Sequence, residues 1–364
     1  MLKMFNYRKT NDDNFNAIVD GTLEQAIARH ENKNLQGYAE RNKNLVNAMG
    51  KFAVAGTRYE EKFEEEGLKL FNNPNVRTNP TVRENFNIVI SQVVTAIAPI
   101  VTNDTFTNYI AEIHQVGWGE TARFIIESND LFKVNAKAEG VRKGVDQPMY
   151  DNEITVTAKA IEISAHIDWY PFAAGEFDMG NFALKIGRSF MSYIFLKAVK
   201  GMADVTAEFG NAYKIENVDD ESFATLKARV SAANGGMNVI AVGTELAVSK
   251  LHLRDDSNLV IGIGEEMNKI GFLGQYLGVP IVALKNALVP GTVNGEAKLA
   301  LPDDRIYLIP VAGQKPIKIL FEGNETSVTF DPQNTSDSRY GITVTMRVGV
   351  SAICGPKYGT IELA

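Results

Sequence analysis

The stretch DMGNFALKIGRSFMSYIFLKAVKGMADVTAE, Asp178 to Glu208, decides how the rest of this sequence is read. Phe182, Ile186, Phe190, Tyr193, Ile194, Ala198, Met202 and Val205 recur mostly at three- and four-residue steps, which puts them on one face of a helix. A single helix about 45 Å long is predicted from the helical rise. Its aromatic stripe reads as core packing.

Just upstream, WYPFAAGEFDMGN (Trp169–Asn181) leads into this helix, and before it lie two strand-like runs, Arg123–Ala138 and Asn152–Ile167. In the second run Ile154, Val156 and Ala158 alternate with Thr155, Thr157 and Lys159. The phase then slips at Lys159-Ala160, and Ile161, Ile163, Ala165 and Ile167 carry the alternation on. A one-residue slip is the mark of a β-bulge. With the polar stretch GVRKGVDQPMYD (Gly140–Asp151) between the runs, a long hairpin is expected, each arm about 40–50 Å when extended. A two-stranded ribbon of that length is barely stable alone and needs a surface to lie on.

Further upstream, VGWGETAR forms a glycine- and tryptophan-bearing turn after the apolar segment Phe86–Ile113. Met1–Glu84 contains thirteen asparagines and few large apolar residues. Thr22–Gln25 (TLEQ) reads as a capping box that opens a helix. Arg58–Phe71 reads as a second helical stretch, and NNPNVRTNPT (Asn72–Thr81), with two prolines, as a break. So polar a segment buries little apolar surface to offset its ordering entropy. It is expected to lean on neighbouring subunits, and docking on its own chain is the competing reading.

Downstream of Asn217 the texture changes to alternating helix and strand. SFATLKARVSAANGG is a helix closed by Gly235 and Gly236, MNVIAVG a buried strand and TELAVSKLHLR a capped helix. LGVPIVALK, RIYLIP, PIKILFEG, TSVTFD and YGITVTMRVGVSAICGPKYGTIEL supply strands, with PQNTSDSR as a polar loop. No internal repeat is evident.

Composition bounds the function. Of 364 residues 45% are hydrophobic and 22% charged, which is ordinary globular usage, and that length suggests more than one core-forming unit. No apolar run reaches the roughly 20 residues of a membrane helix, and MLKMFNYRKTNDDNFN lacks a secretory signal. A soluble protein of a reducing cytoplasm is expected, because the single Cys354 permits no intrachain disulfide. A net charge of −7, with basic residues scattered among acids, disfavours a free-standing nucleic-acid reader.

Catalytic signals are missing. His30, His114, His166 and His252 sit in separate elements without metal-ligand spacing, and no GxSxG or P-loop occurs. Gly262–Met267 (GIGEEM) carries two glycines of a dinucleotide fingerprint but lacks the third, and reads as a loop. Cys354, between Ile353 and Gly355, reads as a small core residue in a strand. No catalytic, cofactor-binding or metal residue is assigned, and the chain is expected not to be an enzyme.

The order of these elements resembles the capsid fold of the Hong Kong ninety-seven type, an α+β fold shared by major capsid proteins of tailed bacteriophages and by encapsulins. FATLKARVSAANGGMNVIAVGTELAVSKL, LGQYLGVPIVALKNALVPG and the ending RYGITVTMRVGVSAICGPKYGTIEL carry the likeness. The resemblance implies an N-terminal arm (1–85), the start of a peripheral domain (86–115), an extended hairpin loop (116–167) and a spine helix with its flanks (168–216). An axial α/β domain (217–316) and the peripheral closing strands (317–364) complete it. It implies a head protein that assembles with itself into pentamers and hexamers, in the host cytoplasm, as the icosahedral shell of a virion. Expected partners are a portal, a scaffolding function and packaged double-stranded DNA, met on the inner face without sequence specificity; no membrane is involved.

Arg142, Lys143 and Asp146 near the hairpin tip, and Asn334 and Arg339 by the closing strands, are the expected assembly contacts. The family's namesake joins a loop lysine to an asparagine of a neighbouring copy, which would correspond here to Lys143 and Asn334. A lysine at a polar tip is ordinarily solvated, and that chemistry needs a buried, deprotonated lysine with a carboxylate nearby. Two main rivals stand beside the virus head, an encapsulin-like compartment and an α/β enzyme with a ligand site in 217–310, and a bacterial tail or adhesin component is a weaker third.

Overall fold

A computed structural model describes residues 13–31, 36–97, 109–127, 131–134, 149–216, 218–251, 274–291, 297–311, 313–323, 327–330 and 339–363. The predicted helix is observed as α7 (Met179–Glu208), 30 residues long, the seventh helix of the described chain. Asp178 caps it by accepting the Asn181 amide at 2.9 Å. Phe190, Ile194, Ala198 and Met202 are all buried along it.

The first five described helices are α1 (Asp13–His30), α2 (Tyr38–Val54), α3 (Glu60–Glu66), α4 (Pro74–Arg77) and α5 (Pro80–Ile97). A short α6 (Trp169–Ala173) lies just before α7. Several sequence expectations fail here for identifiable reasons. TLEQ does not open a helix; it lies inside α1, where the Thr22 hydroxyl donates to the Ile18 carbonyl at 2.7 Å. Back-bonding to the residue four earlier gives a threonine a place in a helix interior. The two prolines do not break the chain but start helices. Each stands at a first helical position, where a missing N–H costs nothing. Asn73 and Asn79 cap them, accepting the amides of Asn75 and Thr81 at 3.0 Å each. The helix expected over Arg58–Phe71 is divided at Gly67, with α3 before it and a 3-10 turn (Gly67–Asn72) after.

The expectation that the leading segment leans on neighbouring subunits is also overturned. Phe15, Val19, Val46, Met49, Phe71, Val82, Phe86 and Val89 are all buried within the chain's own main core. Phe86 packs edge-on against Phe172 at 5.1 Å and Tyr340 at 5.3 Å, and Phe71 stacks on Trp169 at 5.4 Å. The Tyr340 hydroxyl donates to Asn87 Oδ1 at 2.7 Å. Against α7 the approach is close: a Cβ on Gly180 would meet the Ala26 nitrogen at 3.2 Å and the Thr22 oxygen at 3.3 Å. Asp178 also takes Arg29 Nη2 at 2.9 Å and the Tyr38 hydroxyl at 2.8 Å. Burial, and then that hydrogen bond, push the Tyr38 phenol up to about 12.

Two sheets flank this helical body. A five-stranded sheet contains β1 (Ala111–Val116), β4 (Lys159–Asp168), β10 (Ile317–Glu322), β11 (Ser327–Phe330) and β12 (Arg339–Ala352). β12 is its centre, antiparallel to β4, β10 and β11, while β1 runs parallel to β10. A six-stranded sheet runs in the order β5 (Lys214–Glu216), β13 (Gly359–Glu362), β9 (Arg305–Pro310), β6 (Val239–Thr244), β8 (Val279–Leu284), β7 (Gln275–Tyr276). Helices α8 (Asp220–Ala233) and α9 (Glu245–Ser249) pack with it. Gly235 and Gly236 follow α8 at φ 68° and 83°, and the Thr244 hydroxyl caps α9 by accepting the Ala247 amide at 3.2 Å. β13 joins this sheet, so 317–364 is not wholly a set of peripheral strands: its last strand pairs with β5 and β9.

The described residues contain the base of the expected hairpin, and the rest of Arg123–Ala138 and Gly140–Asp151 lies largely outside them. β2 (Ala122–Glu127) pairs with β3 (Tyr150–Val156), and the bulge lies opposite Ile126-Glu127 and not at Lys159-Ala160. The phase slip instead marks a change of partner. The chain leaves β3, passes Thr157-Ala158 and enters the other sheet as β4 against β12. Period-two alternation runs through both strands because both are half-buried, so it could not reveal that they belong to different sheets.

Candidate assembly interface

The hairpin leaves the body at the turn after β1, where its root is held by polar and aromatic contacts to β10 and β12. The Glu322 side chain is 5% exposed, accepts the Gly119 amide at 2.9 Å, and meets Arg347 Nε at 2.7 Å. The Gly119 amide, and then Arg347, hold this carboxyl below the usual glutamate range. Trp118 lies so close to Gly323 that a Cβ there would fall 2.7 Å from its indole. The Gly323 amide donates to the Val116 carbonyl at 2.9 Å, which fixes the exit of β1.

The aromatic half of the root is Phe124. Its ring packs with His114 at 4.7 Å and lies under Lys318 Nζ at 5.4 Å, and it shares a small apolar cluster with Val156 and Leu320. Lys318 is buried and paired with Glu112, which also meets His114 Nε2 at 2.7 Å. Burial alone would raise the Glu112 carboxyl, but the hydrogen bonds from Lys318 and His114 hold it below the ordinary range. Gln314 Nε2 donates to the Ile125 carbonyl at 2.8 Å. Where β3 hands over to β4, Gly349 of β12 passes so near that a Cβ would lie 2.6 Å from the Thr157 oxygen.

Beyond this root the described large apolar side chains are exposed. Ile125, Phe132 and Met149 are more than half exposed, Leu131 is 94% and Val134 92% exposed. Large exposed apolar residues grouped next to a firmly held base make this the candidate interface among the described residues.

Of the sequence-nominated contacts, Arg142, Lys143, Asp146 and Asn334 lie outside the described residues, as do His252 and the GIGEEM loop. Arg339 opens β12 opposite Asp168. The residues that anchor the hairpin, Trp118, Phe124, Lys318, Glu322 and Arg347, were not nominated. Only the glycine-tryptophan turn and the Glu322-Gly323 strand end hinted at them, because an ion pair between distant strands leaves no spacing signal. Cys354 is not in a strand; it occupies a bend after β12, half-buried, with Sγ 3.6 Å from Glu208 Oε2. Burial and the neighbouring carboxylate push that thiol up, away from a nucleophile's range.

His30 lies 3.3 Å from Arg188. Among the described residues no group of three or more His, Cys, Asp or Glu side chains could hold a metal ion, and no helix is long and apolar enough to cross a membrane. A surface cavity of about 430 Å³ lies between α2 and the entry to α7, lined by Tyr38, Asn42, Lys43, Gly175, Glu176 and Asp178. Asp178 is already engaged there by Arg29, Tyr38 and the helix amide, which leaves no convergent reactive set.

A family model described as SPbeta prophage-derived putative capsid protein YonB matches residues 59–362. No curated protein matches the sequence. Solved structures similar to this chain include the virus-like particle from Pyrococcus furiosus, at 8% identity and a TM-score of 0.43, covering 76% of this chain and 99% of that one. The capsid of the native GTA particle is similar at 14% identity and a TM-score of 0.48, covering 72% and 91%. The bacteriophage PhiM1 mature capsid is similar at 14% identity and a TM-score of 0.45, covering 72% and 88%.

Proposed function

The chain belongs to the YonB capsid-protein family, and from that premise we propose that many copies of it close the icosahedral head of a tailed bacteriophage around double-stranded DNA. The carrying observation is the family match, which runs from residue 59 to 362 and so includes the spine helix, both sheets and the hairpin. The same match favours a viral head over a cargo-enclosing compartment and over an enzyme, and the role is structural.

The geometry supports a division of labour. The six-stranded sheet with α8 and α9 meets other copies around five- and six-membered rings. The hairpin reaches over an adjacent copy, with its root fixed by Glu322 and Phe124 and its exposed Leu131, Phe132 and Val134 buried on that neighbour. Arg142, Lys143 and Asp146, with Asn334 and Arg339, supply polar contacts between copies. Each contact is modest, and the closed lattice multiplies them. A portal, a scaffolding function and the genome are the further partners. The acidic balance suits an inner surface that holds DNA loosely, because tight phosphate binding would hinder its release. Assembly takes place in the host cytoplasm and the product is the virion shell.

Electron microscopy of the purified full-length chain tests this. Closed shells are the expected outcome, and a chain that stays monomeric at every concentration would sink the reading. A variant trimmed between Gly140 and Asp151 is expected to fold and fail to assemble; normal shells from it would remove the hairpin from the scheme.

A further inference from the structure

β7 and β8 are joined by a two-residue turn, Leu277-Gly278, between the cross-strand pairs Tyr276–Val279 and Gln275–Pro280. Both turn residues are left-handed, Leu277 at φ 45° and Gly278 at φ 73°, and Leu277 is the one non-glycine residue with positive φ among the described residues. Turns of this kind favour asparagine or aspartate followed by glycine, since short polar side chains tolerate that backbone and a leucine Cβ does not. Leu277 is also 42% exposed. Strain and solvent-facing apolar surface therefore coincide at one residue, and asparagine would relieve both.

The turn is held in this state by α8 at two successive residues. Tyr276 is buried edge-on against Phe223 of α8 at 4.7 Å, and its hydroxyl donates to Asp220 Oδ1 at 2.7 Å. Lys227 Nζ donates to the Leu277 carbonyl at 3.0 Å. Surroundings that over-determine an unfavourable conformation are the setting in which strain serves a function. Among the described strands β7 is the edge of the six-stranded sheet, so the turn stands at its rim.

We infer that Leu277 is an anchor for a second copy of this chain, presented in fixed position by α8. The inference rests on the shell reading above. A cost built into every copy is offset by a contact made by every copy, and in a capsid protein the partner common to all is another copy. An exposed aliphatic side chain on a rigid turn suits insertion between apolar side chains of the neighbour.

The full chain carrying Leu277→Asn is compared with wild type and with Leu277→Met, which keeps both the strain and the apolar side chain. Tm is read on the dilute, unassembled chain, and shell formation by light scattering against concentration. Leu277→Asn is expected to raise Tm by about 2 °C, and to raise the concentration needed for shells about tenfold. Leu277→Met follows wild type in both. Shells of Leu277→Asn forming at the wild-type concentration overturn the anchor, and a lowered Tm overturns the strain on which it rests. Wild-type chain that never assembles overturns the shell reading itself, and the anchor with it.

Discussion

The leading helices and the hairpin look alike in the sequence, polar and thinly supplied with apolar residues, yet they end differently. The helices fold home: Phe15, Val46, Phe71 and Phe86 disappear into the core beside Trp169 and Tyr340. Among its described residues the hairpin is gripped at its root, while Leu131, Phe132 and Val134 stand exposed. A few well-spaced aromatic residues suffice when the same chain offers a matching surface. The difference shows that need for a partner is decided by where apolar side chains can go, not by how many there are.

The sharpest way to break this comparison is Phe86→Ala. If the helices are integral, losing that ring costs the unassembled chain about 3–5 kcal/mol in denaturant unfolding; a loss well under 1 kcal/mol would return them to the status of a waiting arm. Next in size is Gly349→Val, which sets a side chain against the Thr157 backbone where the hairpin hands over to β4. Overpacking at such a site costs about 1–3 kcal/mol, seen as a lowered Tm, and an unchanged Tm would mean that the crossing is looser than described.

A smaller and more local effect is expected from Glu322→Gln. Hydrogen exchange at the Gly119 amide should quicken roughly tenfold while the core stays protected. In the wild type the same loosening should come with acid. A carboxyl held below its ordinary range contributes fully above pH about 4.3, and that contribution disappears as pH falls through the depressed value. Gly119 exchange that ignores both changes would detach Glu322 from the hairpin. The smallest stability effect belongs to the triple change Leu131→Ser, Phe132→Ser and Val134→Ser. Unfolding should move by no more than about 0.5 kcal/mol while shells fail to form, and unimpaired shells would strip the hairpin's apolar residues of their role.

Much of this was legible beforehand. The spine helix announced itself through its aromatic stripe, and the strand-helix alternation around Val239, Glu245 and Val279 through buried runs bounded by glycine and threonine. What could not be read was partnership. Thr22 has the composition of a cap but lies within α1, where the Ile18 carbonyl takes its hydroxyl. Pro74 and Pro80 have the composition of breakers but lie where helices begin. β3 and β4 share one alternation although they pair with different sheets. The hairpin root was hidden for the same reason, since Glu112 and Lys318, or Gly119 and Glu322, are some two hundred residues apart.

The placement of β12 bears on the order of events at the ribosome. This strand joins β4, β10 and β11, and its Tyr340 closes the aromatic core over Phe86 and Trp169, so the five-stranded sheet cannot be completed until residues 339–352 have been synthesised. β13 places a similar condition on the other sheet. A nascent chain thus lacks the surfaces these two strands complete until both have been synthesised, however early the helical body is made.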